Sequence, residues 1–450
     1  MIESHRDQLR WRVPRNRAPH ASLWRLAAPM MLSNVSFATL GLVDTAVIGH
    51  LENASYLAGI VIASVLFDFL YWGVTFLRMG TTGVVAQVYG ANDQQRFRST
   101  LRDALLVAMA LAFVMLVFRD DIRAVGLAAL HSSEESTKHA AAFFSIKIWG
   151  APGVLATMVF IGWLIGMQNA RAAMLLAAVP CLVHVGLDFL LVVHFKLGIA
   201  GAAYAALATA YFSAGLGVLL VKRELDKYQC GDSIGWQWLE MRRLLTLNWN
   251  ILLRTLCLIG TFAYFTKEGA SHGDIVLAAN GILLNFQMLT ALALDGFANA
   301  LEALVGGSIG SSDREKFLAV ITVGAFWSVL FALLFVALYA VIGNALIGLL
   351  TNIVEVRVQS ERFLVWAMVS PIVSVWCFLF DGIFIGSTKG REMRNSMVFS
   401  ALCVFFPASY LLQPLGNDGL WLAFLLFFAA RGFSMAWYFV KIDRAEGFVG

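Results

Sequence analysis

The chain has 450 residues, 59% of them hydrophobic and 14% charged, where a soluble domain runs about 45–50% apolar and about 25% charged. With a mean hydropathy of +0.74, folding in water would leave apolar patches far beyond the few hundred Å² that a soluble surface tolerates. That excludes a soluble enzyme, a nucleic-acid binder and a disordered chain. The net charge of +4 is no sign of nucleic acid, because basic loops orient a membrane chain.

Residues 1–22 are Arg-rich and lack the apolar core of a cleavable signal, so they read as a retained arm. A membrane span needs about 20 apolar residues, and twelve are predicted, near 23–48, 57–88, 101–118, 140–166, 172–194, 199–221, 248–265, 275–309, 317–346, 363–385, 395–412 and 420–440. The third and eleventh are short, and Arg119-Asp120-Asp121 can tilt into the interface. Counting Lys and Arg in alternate loops, with Arg102 at the start of span three, gives 21 on the side of the termini and 7 on the other. By the positive-inside rule both termini are cytoplasmic. The organisation expected is an N-lobe over 23–221, a cytoplasmic linker over 222–247, a C-lobe over 248–440 and a tail over 441–450.

The two lobes read as a duplication. An offset of 220 aligns Gly90, Asp93 and Phe97 with Gly310, Asp313 and Phe317, and Phe160, Gly162, Gly166 and Arg171 with Phe380, Gly382, Gly386 and Arg391. An offset of 218 then matches Leu197, Gly198 and Gly201 with Leu415, Gly416 and Gly419. Six spans is an even number, so both halves enter from one side and a pseudo-two-fold along the membrane normal relates them. The fold class expected is therefore an all-α polytopic membrane protein, twelve transmembrane helices in two pseudo-symmetric six-helix bundles. Two like lobes around a cleft suit alternating access.

An ionisable group at the bilayer centre costs at least about 2.5–3.5 kcal/mol on insertion scales, so each needs a reason. The N-terminal half has Asp44, Asp68, Arg78, Lys147, His184 and Asp188 within spans, and the C-terminal half has Arg254, Asp295, Glu302, Asp381 and Arg431. Lys147 is expected to snorkel to the outer interface, and Asp68 and Arg431 to act as structural partners. Asp44 lies five residues before Gly49, about 7.5 Å below the outer surface, and Asp188 lies at about 9 Å. His184 is one turn deeper on the face of Asp188. Two carboxylates sharing a poorly solvated cavity cannot both stay ionised, so such a pair can exchange a proton for a cation; the bland alternative is that each bridges helices by hydrogen bonds. In the other half Arg254, Glu302 and Asp381 share the inner leaflet, where Arg254 is expected to neutralise Glu302 or Asp381. Asp295, nearer mid-membrane, belongs to the same ionic cluster without a settled role.

Five scattered cysteines include no CxxC pair, and the sequence has no HExxH, no Walker A and no GxSxG with partners. No metal, no organic cofactor and no enzymatic activity are expected; the energy source would be the proton-motive force, with sodium as the other option.

The segments Gly41-Leu-Val-Asp44-Thr-Ala-Val-Ile-Gly49-His50, Thr81-Thr-Gly-Val-Val-Ala-Gln87-Val-Tyr-Gly90, Asp295-Gly-Phe-Ala and Asp381-Gly-Ile-Phe-Ile-Gly386 followed by Arg391-Glu-Met-Arg-Asn-Ser-Met397 resemble the multidrug and toxic compound extrusion family. The resemblance is to its DNA-damage-inducible F branch and covers the chain from span one to span twelve. It implies a multi-pass antiporter of the bacterial inner membrane, exporting cationic or amphipathic toxic compounds against a proton or sodium gradient; a monomer is expected, though the sequence does not give the oligomeric state. It also implies that Asp44 is a coupling carboxylate, that Asp188 belongs to the N-lobe site and that span one bends at Pro29. Two departures stand out: His184 where the family commonly has asparagine, and Arg254 where some sodium-coupled relatives place a carboxylate. Histidine is a poor ligand for a hard cation but titrates near neutral pH, so proton exchange is the expectation and sodium exchange the alternative. A lipid-precursor flippase is a further one, but its anionic headgroup would call for a basic cavity.

Overall fold

A computed structural model describes residues 17–48, 54–129, 134–228, 235, 237–445 and 447–449, with side chains for all of these except 37–48 and 54–58. Among the described residues every regular element is helical, as a bilayer demands of a chain whose backbone groups must be satisfied internally. The helices are α1 Arg17–Ile48, α2 Ala54–Gly73, α3 Phe76–Gly90, α4 Gln94–Val117, α5 Arg119–Ala129, α6 Glu134–Lys147, α7 Ala151–Gly166, α8 Ala170–Asp188 and α9 Gly198–Leu225 in the first half. The second half has α10 Trp238–Ser271, α11 Asp274–Gly310, α12 Arg314–Leu350, α13 Val354–Gly386, α14 Gly390–Phe399, α15 Phe406–Leu411 and α16 Asn417–Arg444.

Among the described residues ten helical segments are long and apolar enough to cross a membrane; α1 and the interrupted α14–α15 segment make up the twelve. Span two is broken between α2 and α3, where Val74 and Thr75 donate to the carbonyls three residues back and the Thr75 hydroxyl competes for the same Trp72 carbonyl. Span three is not short: its polar first turn, from Gln94, is helical too, giving 24 residues. The Arg119 stretch forms a separate short helix, α5, with Asp120 and Asp121 in its first turn. Span eleven is interrupted by a π-turn over Ser400–Phe405, ahead of Pro407.

The duplication is written into the backbone. Helices α3 and α11 end at Gly90 and Gly310, and α7 and α13 at Gly166 and Gly386. Each end is closed by the same pair of bonds: Asn92 N to Tyr89 O with Asp93 N to Val88 O, and Ser312 N to Ile309 O with Asp313 N to Ser308 O. The second pair of ends repeats this with Gln168, Asn169, Thr388 and Lys389. These are Schellman closures, and Asn92, Gln168, Ser312 and Thr388 carry the left-handed residue at φ between 53° and 58°. All four turns meet on one face of the molecule, called here the turn face.

Helix α11 is the keystone. It packs against α13 of its own lobe and crosses to α1 and α3 of the other, and every residue from Gly296 to Ser308 is buried. Near the turn face the lobes touch backbone to backbone. A Cβ on Gly90 would lie 2.0 Å from the Gly307 carbonyl oxygen, and one on Gly310 2.0 Å from that of Gln87. Without a hydrophobic drive between helices in lipid, such close approach of small residues supplies the packing energy. Gln87 adds a hydrogen bond to the Gly386 carbonyl (3.0 Å), and Arg243 bridges Gln87 (3.0 Å) and Thr388 (3.2 Å).

Candidate functional site

In the N-lobe the polar residues gather on α8. Its start is fixed by Asn169, whose side chain accepts from Ala172 N at 3.1 Å, a standard N-cap. The helix then runs through Pro180 to Asp188 and continues as a π-turn over Phe189–His194. His184 and Asp188, one turn apart, are both buried, and His184 Nε2 lies 3.2 Å from Asp188 Oδ2. The other ring nitrogen, Nδ1, is 3.2 Å from Thr209 Oγ1 on α9. The imidazole is thus held at both nitrogens between two helices. Asp188 thus has a ring nitrogen within hydrogen-bond distance and a hydroxyl behind that ring.

Helix α1, which carries Asp44, packs along α8; the Asp44 side chain lies outside the described residues. Helix α1 is one continuous α-helix across Pro29, so the expected bend does not interrupt it. Pro29 has no N–H to donate, and its own carbonyl accepts from Ser33 Oγ at 3.0 Å. The same stretch bears on the opposite lobe: a Cβ on Gly296 of α11 would lie 2.3 Å from Met31 Cγ, and Asn34 Nδ2 donates to Leu292 O at 2.9 Å.

The C-lobe ionic residues lie within electrostatic reach of one another, and their direct pairings divide them. Arg254 Nη2 of α10 and Arg431 Nη2 of α16 both bond Asp381 Oδ2 of α13, and all three residues are buried. Glu302 has a different direct partner, Arg78 of α3 at 3.4 Å, and Arg78 also donates to Asn299 Oδ1 at 3.0 Å. The physical reason is direction. Glu302 is on a face of α11 turned to the N-lobe, whereas Arg254 reaches α13 inside the C-lobe. Asp295, seven residues before Glu302 on α11, is exposed and makes no ion pair within 4.0 Å among the described residues; it lies within electrostatic reach of Arg78, Arg254 and Arg431. Arg431 therefore has a definite structural partner, and Lys147 stacks over the rings of Phe67 (4.8 Å) and Phe143 (5.2 Å).

Sequence reasoning named Arg78 and Arg431 without finding their partners, and missed Thr209 and Asn299. Asn299 had a signal: it falls four residues after Asp295 and three before Glu302, one stripe of a helix.

A two-lobe, twelve-span helical fold with buried charge in each lobe defines a polytopic membrane transporter. The family model MatE matches residues 29–190 and again 256–411, once in each half. The chain is 40% identical over 418 residues to DNA damage-inducible protein F of Escherichia coli, covering 92% of this chain and 91% of that one. It is 26% identical over 450 residues to a probable multidrug resistance protein NorM of Rhizobium meliloti, covering 94% and 93%. The fold matches a solved outward-facing multidrug resistance MATE family transporter of the MOP superfamily with a TM-score of 0.83 at 18% identity, covering 95% and 97%. The chain belongs to the multidrug and toxic compound extrusion (MATE) family, in its DNA-damage-inducible F branch.

Proposed function

We propose that this protein is a secondary antiporter of the bacterial inner membrane, with both termini cytoplasmic. In this reading it exports cationic or amphipathic toxic compounds in exchange for protons, works as a monomer and needs no cofactor beyond the proton-motive force. The observation that carries the choice of proton is the His184–Asp188 pair, buried in the N-lobe and backed by Thr209. A sodium site wants several oxygen ligands in a flexible arrangement, and here an imidazole holds the carboxylate. In the C-lobe, the carboxylate that could serve sodium, Asp381, carries two guanidinium groups.

The cycle follows from differential binding. With the cleft open to the acidic outside, a proton taken up at the Asp44 and Asp188 region removes the charge that holds a cationic substrate, and the substrate leaves. The neutralised N-lobe lets α1 repack around Pro29, and the protein turns inward. Release of the proton to the cytoplasm restores the carboxylate for the next cation. A ligand shifts such an equilibrium only by binding the two states differently, and the protonation of one buried acid supplies that difference. With the turn face cytoplasmic, its close contacts make the described state one that is sealed on the inside.

The test is efflux from proteoliposomes. An imposed pH gradient, acidic outside, is expected to drive export of a fluorescent cation in sodium-free buffer. Export that needs a sodium gradient and survives collapse of the pH gradient would favour the sodium antiporter.

A further inference from the structure

Glu302 lies in the middle of the wholly buried stretch of α11, Gly296 to Ser308. Toward the turn face, through Ser308, its residues are buried between the lobes; in the other direction Asp295, Met288 and Leu289 are exposed. The Arg78–Glu302 pair is therefore inside the closed seam between α3 and α11. It joins α3 of the N-lobe to α11 of the C-lobe across 224 positions of sequence. Counting back from the turns, Glu302 lies eight residues, about 12 Å, before Gly310, and Arg78 twelve residues before Gly90, so the pair is inside the hydrocarbon at about 1.5 Å per residue.

The duplication shows that the pair is not a by-product of the shared scaffold. At the offset of 220 that aligns the turns, Arg78 corresponds to Ala298, Glu302 to Thr82 and Asn299 to Met79. The other inter-lobe contacts at this seam are backbone approaches of small residues around Gly90, Gly306 and Gly310, and amide bonds such as Gln168 Nε2 to Ala303 O at 3.3 Å. These draw on van der Waals contact and neutral hydrogen bonds; nearer the turns, α10 adds charged contacts to the first half, Arg243 to Gln87 at 3.0 Å and Glu240 to Arg96 at 3.4 Å. The Arg78–Glu302 pair is a charged, single-copy contact deep within that seam, with Glu302 buried and Arg78 only partly so.

We propose that Arg78, seated on Glu302 and Asn299, is an inter-lobe latch that holds the turn face closed and is released in each cycle when the lobes separate. The proposal rests on the alternating-access reading for the word cycle, but the latch itself is a statement about the conformational equilibrium. Separation of α3 from α11 must draw the guanidinium off both partners at once. Loss of either charge removes a contact that exists only in the closed state, while leaving each lobe's own packing untouched. Because Arg78 is partly exposed, the effect is smaller than for a fully buried pair and is set at about tenfold in the closed-to-open ratio.

The experiment uses the full chain in lipid nanodiscs, with its five cysteines replaced and spin labels on Gln95→Cys and Glu315→Cys, symmetry-related exposed positions on opposite lobes. A second labelled pair within the N-lobe, Gln95→Cys with Lys222→Cys, reports whether the lobe keeps its fold. Arg78→Ala is expected to raise the long-distance population between lobes about tenfold with the within-lobe distance unchanged, and the near-isosteric Glu302→Gln to do the same. Arg78→Lys should fall between them and the parent. The shift in a protein that moves no cation would support the latch and overturn the transport reading. A parent that populates two inter-lobe distances in a ratio that neither variant alters overturns the latch and leaves the transport reading intact.

Discussion

The two lobes share one backbone and differ in what they do with buried charge. In the N-lobe, Asp188 faces His184, a group able to gain and lose a proton near neutral pH. In the C-lobe, Asp381 faces Arg254 and Arg431, which stay charged at any physiological pH. The duplication makes the contrast sharp: Asp381 corresponds to Ile161, and at offsets of 218 or 220 Asp188 meets Phe406 or Ala408 and His184 meets Leu402 or Val404. The duplication supplied a symmetric pair of bundles; on the proposed proton exchange the N-lobe is the titratable one, and the C-lobe, with its Arg254–Asp381–Arg431 triad, the ionically locked one.

The largest effect should come from the titratable lobe. Asp188→Asn keeps volume and removes the exchangeable proton, so pH-driven efflux is expected to fall at least about 100-fold, the scale of a lost proton-transfer group, while expression and melting temperature hold. Asp44→Asn should behave alike. Full efflux by either variant would reduce that carboxylate to a structural role.

In the locked lobe the prediction is an order of stability. Asp381→Asn leaves two guanidinium groups facing each other in a buried site and should cost about 3–5 kcal/mol, whereas Arg254→Met leaves a neutral Arg431–Asp381 pair and should cost far less. Thermal unfolding of the two variants and their double mutant checks this; the double mutant should recover part of the loss, because coupled residues are not additive. Equal losses for both single variants would mean the triad is not one unit.

A smaller effect is expected at the seam between the lobes. Gly90→Ala places a methyl group where the Gly307 carbonyl already stands, and the overpacking should cost about 1–3 kcal/mol of the closed form, read as increased reactivity of Ser311→Cys toward a thiol reagent. The smallest perturbation is topological. Lys196→Cys should label with an impermeant reagent from outside, and Ser311→Cys only after permeabilisation.

Much of this was legible in the residues. Gly90 and Gly310 marked the repeat before any coordinates did, because a helix end and a close inter-helix approach both select small residues. His184 and Asp188 were visible as a pair because helical spacing alone puts them on one face. The direct partner of Glu302, Arg78, escaped for the opposite reason: it is on another lobe, and no local pattern tells which way a side chain on a wholly buried helix turns. The break between α2 and α3 also escaped, since it has no proline and depends on a threonine hydroxyl competing for one carbonyl. The opening residues of α4, Gln94 to Thr100, hid its true length, because they are mostly polar yet helical.

The contrast between the lobes is tested most directly by proton release on substrate binding. Purified protein in weakly buffered solution, mixed with a cationic substrate, should release protons as the cation displaces them from the N-lobe. Asp188→Asn should abolish that release, and Arg254→Met, in the locked lobe, should leave it unchanged. Release that survives in Asp188→Asn and disappears in Arg254→Met would contradict the assignment and move the exchange site to the C-lobe.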